Sequence, residues 1–233
     1  MYKLTMNTAW RRAARLAIVL LCAALFSVPA LANQQLPEVD EDGLHLLKDT
    51  SVAVAYAKPG SSLESYTKVE LSDCFVQFKQ NWQKNYNMQQ MGLSGTVSDK
   101  DAEAIKKELA EEFRNIFTEV LTSEGFEIVD EAGPDVLLLR PALLNVDVAA
   151  PDIRSAGRSR TYIRSAGEMT LYMELYDSAT DTLLARVADP QADPERMSKL
   201  ANRTTNKKVA DRILRSWAEL LAKHLAEVRE GAR

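Results

Sequence analysis

The stretch from Gly167 to Ala188 constrains the fold more than any other part of this chain. Met169, Leu171, Met173 and Leu175 fall on every second position, with Glu168, Thr170, Tyr172, Glu174 and Tyr176 between them. A period of two predicts a strand with one apolar and one wetter face. The turn-forming residues Asp177 to Asp181 follow, then the apolar run Thr182-Leu-Leu-Ala-Arg-Val-Ala188, so the pair reads as a β-hairpin. Asp tolerates the left-handed backbone that tight hairpin turns need, which explains Asp181 without invoking a calcium loop. That loop is also ruled out by Ala179 at a ligand position and by the missing glycine and terminal glutamate.

A hairpin must bury its apolar face, and two helical patterns supply cover. Ser98, with Asp101 three residues on, predicts a capped helix start. Ile105, Leu109, Phe113, Ile116, Phe117 and Val120 then recur at steps of three and four up to Gly125. A second stripe runs from about Thr205 to Glu230 through Val209, Ile213, Trp217, Leu220, Leu221, Leu225 and Val228. Tyr66 to Phe78 reads as a strand with Ser72, Cys74, Val76 and Phe78 on its core face. Phe126 to Val129 is a short strand, and Val136 to Val148 is a long one that Pro141 should interrupt as a bulge or edge position. Asn81 to Leu93 has no clear period and reads as loop, as does Asp189 to Asn202. The expected fold is α+β, an α/β sandwich with a mainly antiparallel sheet and two long helices packed on one face.

Residues 1–32 belong to another kind of segment. Arg11, Arg12 and Arg15 precede an apolar run, Leu16 to Phe26, and Ala30-Leu31-Ala32 supplies the small residues of a cleavage site. This is the pattern of a cleaved signal peptide. The run is too short to span a bilayer about 30 Å thick as a helix, and Val19-Leu20-Leu21 before Cys22 lacks the small residue of a lipidation site. Residues 33–42 are polar and acidic and read as a flexible tether, and 43–230 as a single α/β domain. Without the signal's four bases, 25 basic residues remain against 33 acidic ones, a net charge of −8. That argues against general nucleic-acid binding.

Candidate chemistry is sparse. The two histidines, His45 and His224, are isolated, and no paired cysteines or metal-ligand spacings occur, so no metal or cofactor is expected. Cys74 lies between Asp73 and Phe75 on a core-facing parity and reads as structural rather than nucleophilic. Gly92-Leu93-Ser94-Gly95 lacks the spacing of a nucleophile elbow. Glu168 and Glu174 are six residues apart on one strand, roughly 20 Å, too far to act as a pair. The remaining feature is Pro151 to Ala166, where Ile-Arg-Ser-Ala-Gly occurs twice, ten residues apart. Arg154, Arg158, Arg160 and Arg164 concentrate positive charge there and are the candidate ligand-binding residues, suited to phosphate or carboxylate. The competing explanation is a solvated loop balanced by Asp147, Asp152 and Glu168.

Five groups of residues resemble the landmarks of one family. They are Tyr66-Thr67-Lys68-Val69, Pro134-Asp135-Val136, Ser165-Ala166-Gly167, Leu175-Tyr176-Asp177-Ser178-Ala179-Thr180 and Trp217-Ala218-Glu219-Leu220. In order and spacing they are similar to the exported bacterial proteins grouped as domain of unknown function 3313, over about Gly43 to Val228. Asp181 departs from that pattern, where glycine is expected. The resemblance implies export and a single domain; it brings no established activity and no catalytic residues. The expectation is a non-enzymatic periplasmic or cell-envelope protein that binds a protein partner or an anionic lipid or glycan. The alternative is an envelope hydrolase using converging carboxylates, at least one with a raised pKa.

Overall fold

The computed structural model describes residues 36–89, 96–148, 162–163, 168–192, 199–200 and 203–231. In chain order the elements are β1 (His45–Leu46), β2 (Val54–Ala57), β3 (Lys68–Leu71), β4 (Phe75–Phe78), α1 (Trp82–Gln89), α2 (Asp99–Ser123), β5 (Glu127–Val129), β6 (Val136–Asp147), β7 (Tyr162–Ile163), β8 (Glu168–Asp177), β9 (Thr182–Ala192), β10 (Lys199–Leu200) and α3 (Arg203–Gly231). Eight strands form one open sheet in the order β1-β2-β9-β8-β6-β3-β5, with β4 also pairing β6, while β7 and β10 form a separate ribbon. The architecture is mixed α+β, with three helices among the described residues.

The hairpin forms where its sequence demands. Met169, Leu171, Met173 and Leu175 are buried in one apolar cluster with Phe113, Ile116 and Phe117 of α2 and Ile213, Leu214 and Trp217 of α3. Asp181 takes a φ of +52°, and Asp177 Oδ1 accepts hydrogen bonds from the Thr180 amide and hydroxyl, both 2.8 Å. The capping box is present at Ser98 and Asp101, and Gly125 follows α2 with a φ of +84°.

The sheet is mainly antiparallel in its pairings but also contains parallel ones. Four of its pairings are antiparallel, but β3–β5, β3–β6 and β4–β6 are parallel. Helices α1 and α2 lie between β4 and β5 in the chain, and a crossover through a helix returns the chain in the same direction. The apolar run Val136–Leu139, buried at every position where β6 pairs parallel with β3, is the local mark of that direction.

The single strand expected over Tyr66–Phe78 is two, laid end to end along β6. β3 pairs as far as Leu139, and β4 resumes at Ala142. At the break, Arg114 of α2 donates to the Leu71 carbonyl at 2.7 Å. Pro141 falls in this gap, where no β3 or β4 residue pairs with it, so a central strand is locally an edge and the missing N–H costs little. The bulge lies further on, between Leu144 and Asp147, at Asn145 with a φ of +52°. The expected loop at 81–93 contains helix α1. Trp82 stacks on Phe78 with centroids 4.0 Å apart, and its indole donates to the Val148 carbonyl at 3.0 Å.

Asp189, expected to open a loop, lies within β9 and is buried. Its Oδ2 accepts from Trp217 Nε1 at 2.7 Å and Gln191 Nε2 at 3.0 Å, and its Oδ1 from the Ala53 amide at 2.8 Å. One carboxylate thus joins β9, α3 and the chain entering β2. Asp189→Ala leaves a buried indole N–H without its acceptor and should cost about 2 kcal/mol. A lowered urea midpoint with an unchanged slope is the expected result.

Candidate functional site

The candidate arginines Arg154, Arg158, Arg160 and Arg164 lie outside the described residues. Their surroundings are partly visible. Asp147 and Glu168, which pair across β6 and β8 on either side of the segment, both contact Lys79, at 3.5 and 3.3 Å. Within the segment, Ile163 and Tyr162 of β7 pair with Lys199 and Leu200 of β10.

The polar side chains that converge do so elsewhere, on the second face of the hairpin. Glu174 lies opposite Arg140 of β6 on one side and Arg186 of β9 on the other, and Arg186 lies opposite Tyr56 of β2. A single cross-strand row therefore runs Arg140, Glu174, Arg186, Tyr56. Arg186 donates to Glu174 Oε1 from Nε at 3.1 Å and from Nη2 at 2.9 Å. The Tyr172 and Tyr176 hydroxyls donate to the two Glu174 oxygens, each at 2.8 Å. Their spacing of two on either side of Glu174 places both rings beside it on one strand face. Arg140 stacks on the Tyr176 ring at 4.2 Å and pairs with Asp181 at 2.8 Å.

Arg186 also reaches into the segment before β1. Its Nη1 bonds Asp40 at 2.7 Å and its Nη2 bonds Asp42 at 2.6 Å. The later part of the segment expected as a tether, 33–42, therefore touches the sheet. Beside Asp42 and Arg186 lies an open cleft of about 570 Å³, also lined by Lys58, Pro59, Tyr176 and Asp181.

The electrostatics follow from this geometry. Burial alone would push the Glu174 carboxyl up, but hydrogen bonds from Tyr172, Tyr176 and Arg186, with the Arg186 charge, hold it below its ordinary value. Burial and the bond to Glu174 push Tyr172 up to about 12. Burial opposes the charge on Arg186, yet its bonds to Asp42 and Glu174 raise its pKa further. Carboxylates do converge here, but on a permanent cation, and Glu174 is held ionised. That is the opposite of what a general acid requires.

The other sequence candidates fall apart spatially. His224 is exposed beside buried Leu225, and His45 is exposed on β1. No group of three His, Cys, Asp or Glu residues suited to a metal occurs among the described residues. Cys74 packs against the core, and burial pushes its thiol up to about 12. The Arg186 cluster escaped sequence reasoning because its acids were assigned to a tether. The available signal was the hairpin register, which sets the one charged residue of the run Leu183–Ala188 opposite Glu174.

A family model described as protein of unknown function (DUF3313) matches residues 44–221. The chain belongs to this family. Comparison with curated proteins returns no match. Among solved structures, similarity is found to the PelC dodecamer from Paraburkholderia phytofirmans, at 13% identity over 71% of this chain and 96% of that one, with a TM-score of 0.38. A minor lipoprotein from Acinetobacter baumannii matches at 8% identity over 70% and 95%, with a TM-score of 0.35.

Two outcomes are expected of these residues. Glu174 has a depressed pKa in the fold, so its contribution is present above the unfolded value near 4.3 and is lost as pH falls through the folded value. Thermal melts of the wild type should therefore lose stability below about pH 4 more steeply than those of Glu174→Gln, which lacks the titrating group. Cys74, in turn, should react with a disulfide reagent at pH 8 more than tenfold slower in the native protein than after denaturation, on the order expected when burial suppresses the thiolate.

Proposed function

We propose that this is an exported, non-enzymatic protein of the bacterial periplasm or cell envelope that holds an anionic envelope ligand through Arg154, Arg158, Arg160 and Arg164. In this reading residues 1–32 are a cleaved signal peptide, and the domain from 43 to 230 is a single unit with both long helices on one sheet face. The basic region, apolar run and small-residue site of the N-terminus support export. No described helix is long and apolar enough to cross a membrane.

One observation carries the ligand assignment. The acids flanking the arginine segment, Asp147 and Glu168, already share Lys79 at 3.5 and 3.3 Å. That trio has a net charge of −1, and Asp152 within the segment brings the total to −2, too little to balance four guanidinium groups. A basic segment in an otherwise acidic chain is suited to phosphate or carboxylate groups, which planar guanidinium binds in bidentate fashion. Lipid headgroups and acidic glycans both present such groups.

Flotation with vesicles containing anionic lipid, and gel retardation with an acidic polysaccharide, separate the two sources. Binding in one arm should be salt-sensitive and fall on the order of a hundredfold or more when the four arginines become glutamine, at about 1 kcal/mol per surface charge. Equal binding by wild type and quadruple variant in both arms would refute the assignment.

A further inference from the structure

The segment before β2 sits on the second face of the hairpin in the manner of a bound peptide. Its main chain extends the sheet edge. β1 pairs antiparallel with β2, and the Leu47 amide donates to the Ala55 carbonyl at 2.8 Å. An apolar anchor follows the acids, since Leu44 is only 1% exposed. Charge reads the rest. Asp40 and Asp42 bind the two terminal nitrogens of Arg186, which Glu174 orients from the other side. Asp40 also shapes its own segment, accepting from the Asp42 amide at 3.0 Å and the Leu44 amide at 2.8 Å. At the upstream end, the Tyr56 hydroxyl donates to the Pro37 carbonyl at 2.9 Å. Strand addition, a side-chain anchor and a guanidinium–carboxylate contact are the recurring means of peptide recognition.

We infer that this face of β2, β9 and β8 is a recognition site for acidic Asp-x-Asp-x-Leu segments, filled here by the chain's own Asp40-Glu41-Asp42-Gly43-Leu44. The ligand it takes when that occupant leaves is a segment of the same pattern on a protein partner. Two features favour exchange. The Asp42 side chain is 53% exposed against 12% for Asp40, so its bond is the easier to break. The cleft beside it brings Lys58, which has no ion pair among the described residues, within the same site as Arg186. A partner segment extending past its second acid would meet that ammonium. The tethered occupant competes at high effective concentration, so the apparent affinity for a partner is reduced by the fraction of molecules in which the site is open.

The probe is a labelled peptide with the sequence of residues 37–48, titrated into the full chain. Wild type should bind it weakly. Asp40→Asn with Asp42→Asn weakens the internal occupant and should tighten binding at least roughly tenfold. Adding Arg186→Gln, or replacing both peptide aspartates by asparagine, should abolish the gain. A folded double variant, judged by tryptophan fluorescence and cooperative unfolding, that binds no better than wild type overturns the inference. So does binding that survives Arg186→Gln. Should the double variant fail to fold, Asp42→Asn alone decides, with a severalfold gain expected and no gain refuting. The quadruple arginine variant should bind the peptide as wild type does, which keeps this result separate from that for the arginine-rich segment.

Discussion

The register of the hairpin, with Glu174 opposite Arg186, is the constraint on which most of the molecule rests. A slip of one residue would turn every side chain of β8 to the other face, exposing Met169, Leu171, Met173 and Leu175 and burying two glutamates. The apolar set specifies the register from the helix side, and the Glu174–Arg186 pair specifies it from the other. The two agree, and such agreement between levels is what gives a sequence one fold rather than several. Arg186 is only 21% exposed at its side chain, so removing it would leave three carboxylates facing one another in partly desolvated surroundings. That is costlier than the pair's net worth suggests.

The same row explains why the polar side of β8 is not free surface. Tyr172 and Tyr176 use their hydroxyls on Glu174 and offer their rings to Arg186 and Arg140, at 6.0 and 4.2 Å. Both Glu174 oxygens, both terminal nitrogens and Nε of Arg186, and the Tyr56 hydroxyl have partners within the chain. Such a face is already made for binding, and its guanidinium accepts what completes its coordination, here a pair of aspartates from the preceding segment. The bonds that hold Glu174 ionised also argue against acid–base chemistry at this spot, because a group that must exchange protons cannot be held so firmly in one ionisation state.

Much of the fold was legible because it depends on local rules. The β8 alternation, the Ser98–Asp101 box, the turn at Asp181 and the stripe of α3 each follow from residues close in the chain. What was not legible depends on residues far apart. The parallel pairings of β3, β4 and β5 arise from the helical crossover. The division of one apolar stretch into β3 and β4 depends on Arg114 and on β6. Asp189 read as the start of a loop because its buried role depends on Trp217, 28 residues away, and Ala53, 136 residues away. Composition likewise suggested a tether at 33–42, since Asp-Glu-Asp is typical of solvated chain. Nothing local reveals that one arginine 146 positions later binds two of its carboxylates.

The family landmarks take on a physical meaning once they are located. Tyr66 donates to Asp177 at 2.8 Å, Lys68 pairs with Asp135 at 3.2 Å, and the Thr67 and Lys68 amides both donate to the Asp135 carbonyl at 3.1 Å. Ser178 exchanges hydrogen bonds with the amide and carbonyl of Gly133, both at 3.0 Å. Trp217 closes on Asp189. Among the described residues these landmarks are cross-ties binding the hairpin turn, the start of β6, β3 and α3 into one scaffold, and of them Tyr176 alone lines the cleft beside Arg186; Ser165-Ala166-Gly167 lies outside the described residues. A family pattern made of cross-ties identifies a fold without specifying a ligand. Specificity then resides in residues that the scaffold positions but does not need, and the Asp40 to Leu44 segment is of that kind. Its loss would uncover the binding face while leaving the landmark contacts in place.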